Sequence, residues 1–155
     1  MQIFKFGGAS VKDAAGVRNV AKILEKVGYA HSLIVISAMG KTTNALEVVV
    51  NNYFKAPAQL PESLQTIKDF HYQIIRELFS DENHPVYWKV DGLFAELSSF
   101  LERNKSPKHS FVDDQVIGFG ELLSTTIISQ YLNDNGIKNN WIDVRNLIKT
   151  DSNYR

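Results

Sequence analysis

Apolar positions recur every three or four residues along most of this 155-residue chain, and short β-branched runs interrupt them near the start. Gln2 to Phe6 alternates and stops at Gly7-Gly8, which predicts a short strand ended by a tight turn. In Val11 to Val27, residues Val17, Val20, Ala21, Leu24 and Val27 share one helical face, and Gly28 stands where a helix end is capped. Ser32 to Ser37 (SLIVIS) is nearly all apolar and β-branched, which predicts a strand buried on both faces of a parallel sheet. Strand, helix, strand in this order is a βαβ unit with a right-handed crossover.

Beyond Gly40 the pattern is mostly helical. One helix covers Leu46 to Tyr53 and breaks across Ala56-Pro57 to Pro61. Leu64, Ile67, His71, Ile74 and Leu78 form a second apolar stripe, and Val90, Leu93, Phe94, Leu97, Phe100 and Leu101 a third. Asn104 to His109 reads as a polar turn around Pro107. Ser110-Phe111-Val112-Asp113 resembles a capping box opening one long helix to about Leu132, which Asn133 to Gly136 ends. Trp141 to Val144 predicts another short strand, and the polar Ser152 to Arg155 follows with no closing element. A sheet of so few strands is thin, and the chain reads as the front part of something longer.

Composition narrows the chemistry. Apolar residues at 44% and charged residues at 22% describe one globular domain that buries roughly two-thirds of its unfolded surface. Seventeen Lys and Arg balance seventeen Asp and Glu, so no bulk basic field holds nucleic acid or an anionic membrane. With no Cys, thiolate nucleophiles, disulfides, Cys-ligated zinc and iron–sulfur clusters are excluded. Leu33 to Ala38 is too short to span a bilayer, and the amino terminus lacks the continuous apolar stretch of a secretory signal. A cytoplasmic setting is expected. His31, His71, His84 and His109 show no metal-ligand spacing, and His71, on an apolar face, reads as a satisfied histidine at the core edge.

Three segments could carry chemistry. In Lys5-Phe6-Gly7-Gly8-Ala9-Ser10, bare backbone between a strand and a helix start could approach phosphate oxygens, with Lys5 supplying a full charge. A plain tight turn beside a solvated lysine fits the same residues. Ser37 to Asn44 (SAMGKTTN) invites a P-loop reading, but that motif needs a glycine where Val35 stands. What remains is a hydroxyl-rich turn at the carboxyl end of a strand, where open α/β sheets place ligands. Ser37, Thr42 and Thr43 could donate to a small anion, or a threonine could cap the next helix. In Gly118-Phe119-Gly120-Glu121, each glycine inside a helix costs about 1 kcal/mol relative to Ala, which asks for a close approach by backbone or ligand. Glu121, among Ile117, Leu122 and Leu123, is either an acid awaiting a cation or an exposed helix residue.

Taken together, KFGGAS at Lys5 to Ser10, SAMGKTTN at Ser37 to Asn44, GELLS at Gly120 to Ser124 and WIDVRNLIKTD at Trp141 to Asp151 resemble the amino-terminal part of the aspartate kinases, within the amino acid kinase family. The resemblance covers essentially the whole chain. Acetylglutamate and uridylate kinases share a Lys-x-Gly-Gly start but not the later three blocks in this form. Ala9 stands where the family commonly has Thr, which removes a hydroxyl but leaves a small residue in the turn.

The resemblance implies an α/β fold, a three-layer α/β/α arrangement around a mainly parallel sheet (the carbamate kinase-like fold), here incomplete. It implies that residues 1–155 are the amino-terminal part of the kinase domain, without the nucleotide-side half or the regulatory ACT domains. The implied reaction moves the γ-phosphoryl of ATP, with Mg2+ held mainly by the phosphates, to the side-chain carboxylate of L-aspartate. Lys5 would neutralise the moving phosphoryl, with Gly7, Gly8 and Ser10 around the phosphates. Ser37 and Thr43 would bind aspartate, and Glu121 would pair with its α-ammonium. No protein metal ligands are implied, and the parent would assemble as a homo-oligomer through regulatory domains. Two alternatives stand beside this reading: another enzyme of the amino acid kinase family, or a non-catalytic binding module whose sheet a partner chain completes.

Overall fold

The computed structural model describes residues 1–148; the expectations for the chain end at Ser152 to Arg155, and for the last part of the fourth motif, lie outside the described residues. Strand β1 (Gln2–Phe6) leads through a 3-10 turn (Gly8–Val11) into helix α1 (Ala14–Val27), and then into β2 (Ser32–Ile36). The two strands pair in parallel, Gln2 opposite Ser32 through Phe6 opposite Ile36. The βαβ unit is therefore present as the pattern predicted. Gly28, at φ 80°, ends α1 and returns its N–H to the Leu24 carbonyl.

Four helices follow: α2 (Thr42–Lys55), α3 (Leu60–Leu78), α4 (Pro85–Arg103) and α5 (His109–Ile117); α6 (Phe119–Asp134) completes the set. Pro57 and Pro61 mark the break between α2 and α3, where a missing backbone donor costs least at a helix start. Helix α6 is apolar nearly all round, burying Phe119, Leu122, Leu123, Ile127, Ile128 and Leu132. Such a helix belongs in the middle of a core. It packs against α2, α3, α4, α5 and β2.

The structure departs from the sequence pattern in four places. The helix expected from Val11 starts at Ala14, because Gly8–Val11 forms its own 3-10 turn and Asp13 caps α1 by accepting the Gly16 N–H at 2.8 Å. The single long helix expected from Ser110 is two helices divided at Gly118, and α5 starts at His109 without the capping box. Trp141 to Val144 is not a strand, since no neighbouring strand among the described residues pairs with it; Val144–Asn146 forms a 3-10 turn capped by Asp143. Arg145 instead ties this segment down, to Asp143 at 2.7 Å and to Glu96 of α4 at 3.7 Å.

The fourth departure concerns the sheet. Phe6 and Ile36 are buried, and Phe4 and Ile34 pack against the same core, so helices cover that face. On the other face Ile3, Leu33 and Val35 are 63%, 46% and 44% exposed, although a strand buried on both sides was expected. Among the described residues, the sheet and the helices on one side are present, an incomplete form of the three-layer arrangement.

Candidate functional site

The carboxyl ends of β1 and β2 open into two loops that lock together. Ser37 N–H donates to the Phe6 carbonyl at 3.0 Å, and Gly40 N–H donates to the Gly8 carbonyl at 3.1 Å. A Cβ on Gly8 would stand 2.7 Å from the Ala38 carbonyl oxygen, so only glycine lets the two backbones come this close. Gly40 turns the second loop at φ 55°, in the left-handed region. The requirement for glycine is thus steric at Gly8 and conformational at Gly40.

Lys5 stands beside this junction. It belongs to the open face of β1, opposite Val35 in the register, and its side chain is exposed. Its Nζ lies 3.9 Å from where a Gly7 Cβ would sit, so the ammonium folds back over the glycine bend. Ser10 N–H closes onto the Gly7 carbonyl at 2.9 Å, and Ala9 and Ser10 face solvent on the turn. A full positive charge over a bend without side chains suits an anion that needs close approach and charge neutralisation. The first turn of α1 lies beyond this bend and is capped by the Asp13 carboxylate, which accepts the Gly16 N–H at 2.8 Å.

Glu121 reaches the same junction from α6. It is half-buried in the first turn of that helix, and its Oε1 accepts the Ala38 N–H at 3.2 Å. The helix comes this near because residue 120 is glycine: a Cβ there would meet Ala38 Cβ at 2.9 Å, Leu46 Cδ1 at 3.4 Å and Thr42 Cγ2 at 3.5 Å. The cost of Gly120 therefore has its reason, while Gly118 has open space around it and marks the divide between α5 and α6. Behind Glu121, Thr125 Oγ1 donates to the Glu121 carbonyl at 2.6 Å and accepts from Trp141 Nε1 at 2.9 Å.

The two threonines separate. Thr42 is buried and its hydroxyl donates to the Met39 carbonyl at 2.6 Å, a structural use. Thr43 and Ser37 are half-buried at the same strand end. Of the predicted residues, Lys5, Gly7 and Gly8 meet on one loop, Ser37 and Thr43 flank the other, and Glu121 reaches that second loop through Ala38. Ala38 was missed by sequence reasoning because a methyl group carries no chemistry. The signal that could have found it was the unexplained Gly120, which needed a neighbour.

His71 is a different kind of polar residue. It is fully buried on α3, with Nδ1 at 2.8 Å from the Ile67 carbonyl and Nε2 without a partner, so it is neither at the core edge nor satisfied as expected. Burial pushes its pKa down to about 4 despite the backbone bond. The neutral ring packs edge-on against Phe70 and Phe94. No group of three or more His, Asp or Glu among the described residues could hold a metal ion. No described helix is long and apolar enough to cross a membrane.

The sequence matches the family model for the amino acid kinase family over residues 1–155. It is similar to aspartokinase 1, chloroplastic, of Arabidopsis thaliana, 32% identical over 142 residues that cover 88% of this chain and 24% of that protein. It is also similar to bifunctional aspartokinase/homoserine dehydrogenase 2 of Escherichia coli strain K12, 28% identical across 97% of this chain and 18% of the relative. Its fold is that of E. coli aspartokinase III solved with lysine and aspartate, with a TM-score of 0.84, 24% identity, and coverage of 99% of this chain and 34% of that one. The same enzyme solved with aspartate and ADP gives a TM-score of 0.83 at 24% identity, covering 98% of this chain and 33% of that one. The chain thus spans between 18% and 34% of the length of these proteins.

Proposed function

The chain belongs to the amino acid kinase family, and from that premise we propose that it forms the aspartate-side part of a kinase that phosphorylates the side-chain carboxylate of L-aspartate. In this reading a carboxylate oxygen attacks the γ-phosphorus of ATP, the bond from that phosphorus to the β–γ bridging oxygen breaks, and ADP leaves with the electron pair. The product is 4-phospho-L-aspartate. The nucleophile is already ionised, so the site needs no general base; placement and charge neutralisation do the work.

The observation that carries this reading is the meeting of the Gly7-Gly8 bend, the 37–40 loop and the first turn of α6 around Ala38, with a cation on one side and a carboxylate on the other. Lys5 neutralises the phosphoryl oxygens, and Gly7, Gly8 and Ser10 give the phosphates a bend free of large side chains. Ser37 and Thr43 donate to the aspartate carboxylates, and Glu121 receives its α-ammonium. ATP supplies the phosphoryl group when bound, and Mg2+ is carried mainly on the phosphates. The relatives' names and the solved complexes with aspartate and with ADP support the choice of substrates. The same proposal makes residues 1–155 the front part of the kinase domain, places the reaction in the cytoplasm, and leaves homo-oligomer formation to regulatory domains elsewhere in the parent.

An ATP-dependent aspartyl-hydroxamate assay tests the proposal. A polypeptide joining this chain to the rest of an amino acid kinase fold should form hydroxamate from L-aspartate, and residues 1–155 alone should not. Turnover by the 155-residue chain by itself would contradict the division of the site, and a preference for another acid in a substrate panel would replace aspartate. A second reading, a binding module completed by another chain, is favoured by one observation: the exposed Ile3, Leu33 and Val35 face. Sedimentation at several concentrations separates it from a monomer.

A further inference from the structure

Ala38 touches both halves of the candidate site through three different atoms. Its N–H donates to Glu121 Oε1 at 3.2 Å. Its carbonyl oxygen sits 2.7 Å from the place where a Gly8 side chain would begin. Its methyl sits 2.9 Å from the place where a Gly120 side chain would begin, and that distance is shorter than real Cβ contacts allow. One buried alanine, only 2% exposed, thus fixes the Gly8 turn on one side and the Glu121 carboxylate on the other.

We propose that Ala38 is a positioning residue, which holds the Glu121 carboxylate at a set separation from the Gly8 bend, and that residue 120 is glycine to make room for the Ala38 methyl. The residue acts through Glu121 and Gly8 and touches no substrate itself. The inference deepens the reading of the site above, in which Glu121 meets the substrate ammonium, but its geometry stands without that reading. Adding a methyl at position 120 forces α6 and the 37–40 loop apart, because close-packed interiors do not absorb an extra carbon without movement. The Ala38 N–H to Glu121 contact is the first to open. Moving the methyl from one side of the contact to the other keeps the total volume constant.

The experiment follows the residue 38 amide proton by NMR in the full 155-residue chain, for the native sequence, Gly120→Ala, Ala38→Gly, the Ala38→Gly/Gly120→Ala swap and Glu121→Gln. Gly120→Ala should lower hydrogen-exchange protection of that amide about tenfold or more and move its resonance upfield, while the swap should recover both; a loss of about tenfold corresponds to opening one modest hydrogen bond. Glu121→Gln should move the resonance upfield in a folded chain, because a charge-assisted bond becomes a neutral one. Ala38→Gly should keep the bond. A Gly120→Ala chain with unchanged protection, or a folded swap that fails to recover it, overturns the proposal. If Gly120→Ala does not fold, the other variants decide: recovery in the swap supports the proposal, and an amide indifferent to Glu121→Gln overturns it. Titrating L-aspartate into the same native sample separates the two readings. An amide that obeys all these rules supports the positioning role, whether or not aspartate binds.

Discussion

His71 and Glu121 are both polar side chains set among apolar neighbours, and they show what separates a core polar group from a site. His71 lies between the α3 stripe and Phe94, fully buried, with one ring nitrogen bonded to its own helix and the other unpartnered. It is held neutral by burial. Glu121 lies where the first turn of α6 meets two strand-end loops, is only half-buried, and uses one oxygen on a backbone N–H of a different segment. One polar group is enclosed and the other is aimed at a junction that also carries an ammonium group. A site is marked less by a polar residue in an apolar setting than by the convergence of unlike groups on one loop.

The largest effect belongs to the junction: in a polypeptide that supplies the rest of the kinase fold, Lys5→Ala should lower phosphoryl transfer about a thousandfold, roughly 4 kcal/mol of barrier, with the melting temperature unchanged. Hydroxamate assays beside thermal unfolding measure both, and near-native turnover would remove Lys5 from its role.

Next is the buried histidine. Its pKa falls from 6.5 to about 4 on folding, so the folded state excludes a proton that the unfolded chain accepts. Stability from this group is complete above pH 6.5 and declines as pH falls toward 4, by about 3 kcal/mol in all. Urea midpoints between pH 7 and pH 4, compared with His71→Leu, isolate it: the variant should lack this part of the acid sensitivity, and an identical slope in both chains would contradict the burial argument.

Gly8→Ala comes third. A Cβ placed 2.7 Å from the Ala38 carbonyl should cost about 2 kcal/mol through displaced backbone. Chemical denaturation reads this directly, and a neutral result would mean that the two loops are not locked. The smallest effect is expected at the Lys68–Asp91 pair between α3 and α4, which is 2.7 Å long but a third to a half exposed. Lys68→Met should cost less than about 1 kcal/mol, and raised salt should shrink it further.

β1, α1 and the helical stripes were legible because each follows a single local period, two for Gln2 to Phe6 and near 3.6 for Val17 to Val27, and β2 because its β-branched run is nearly unbroken. The glycine pair and Lys5 were legible as a possible anion bend, and Gly120 as a cost awaiting a reason. The rest depends on contacts across the chain. Ala38 acquires its role only when α6 arrives more than eighty residues later in sequence. The division at Gly118 was hidden because apolar residues continue through both α5 and α6. Trp141 to Val144 has strand-forming residues, but a strand needs a ladder partner, and the indole of Trp141 bonds Thr125 instead. The open face of β1 and β2 could not be foreseen from SLIVIS, since burial on the second side requires elements that the described residues do not contain.

In the proposed reaction Glu121 and Lys5 serve opposite ends of one site across the Ala38 junction. Steady-state kinetics of Glu121→Gln, in a polypeptide that carries the rest of the kinase fold, tests it most directly when L-aspartate and ATP are varied in turn. The KM for aspartate should rise at least about tenfold, the cost of losing a charged partner for the ammonium, with the KM for ATP within about twofold of native. Equal rises for both substrates would take Glu121 out of the aspartate site.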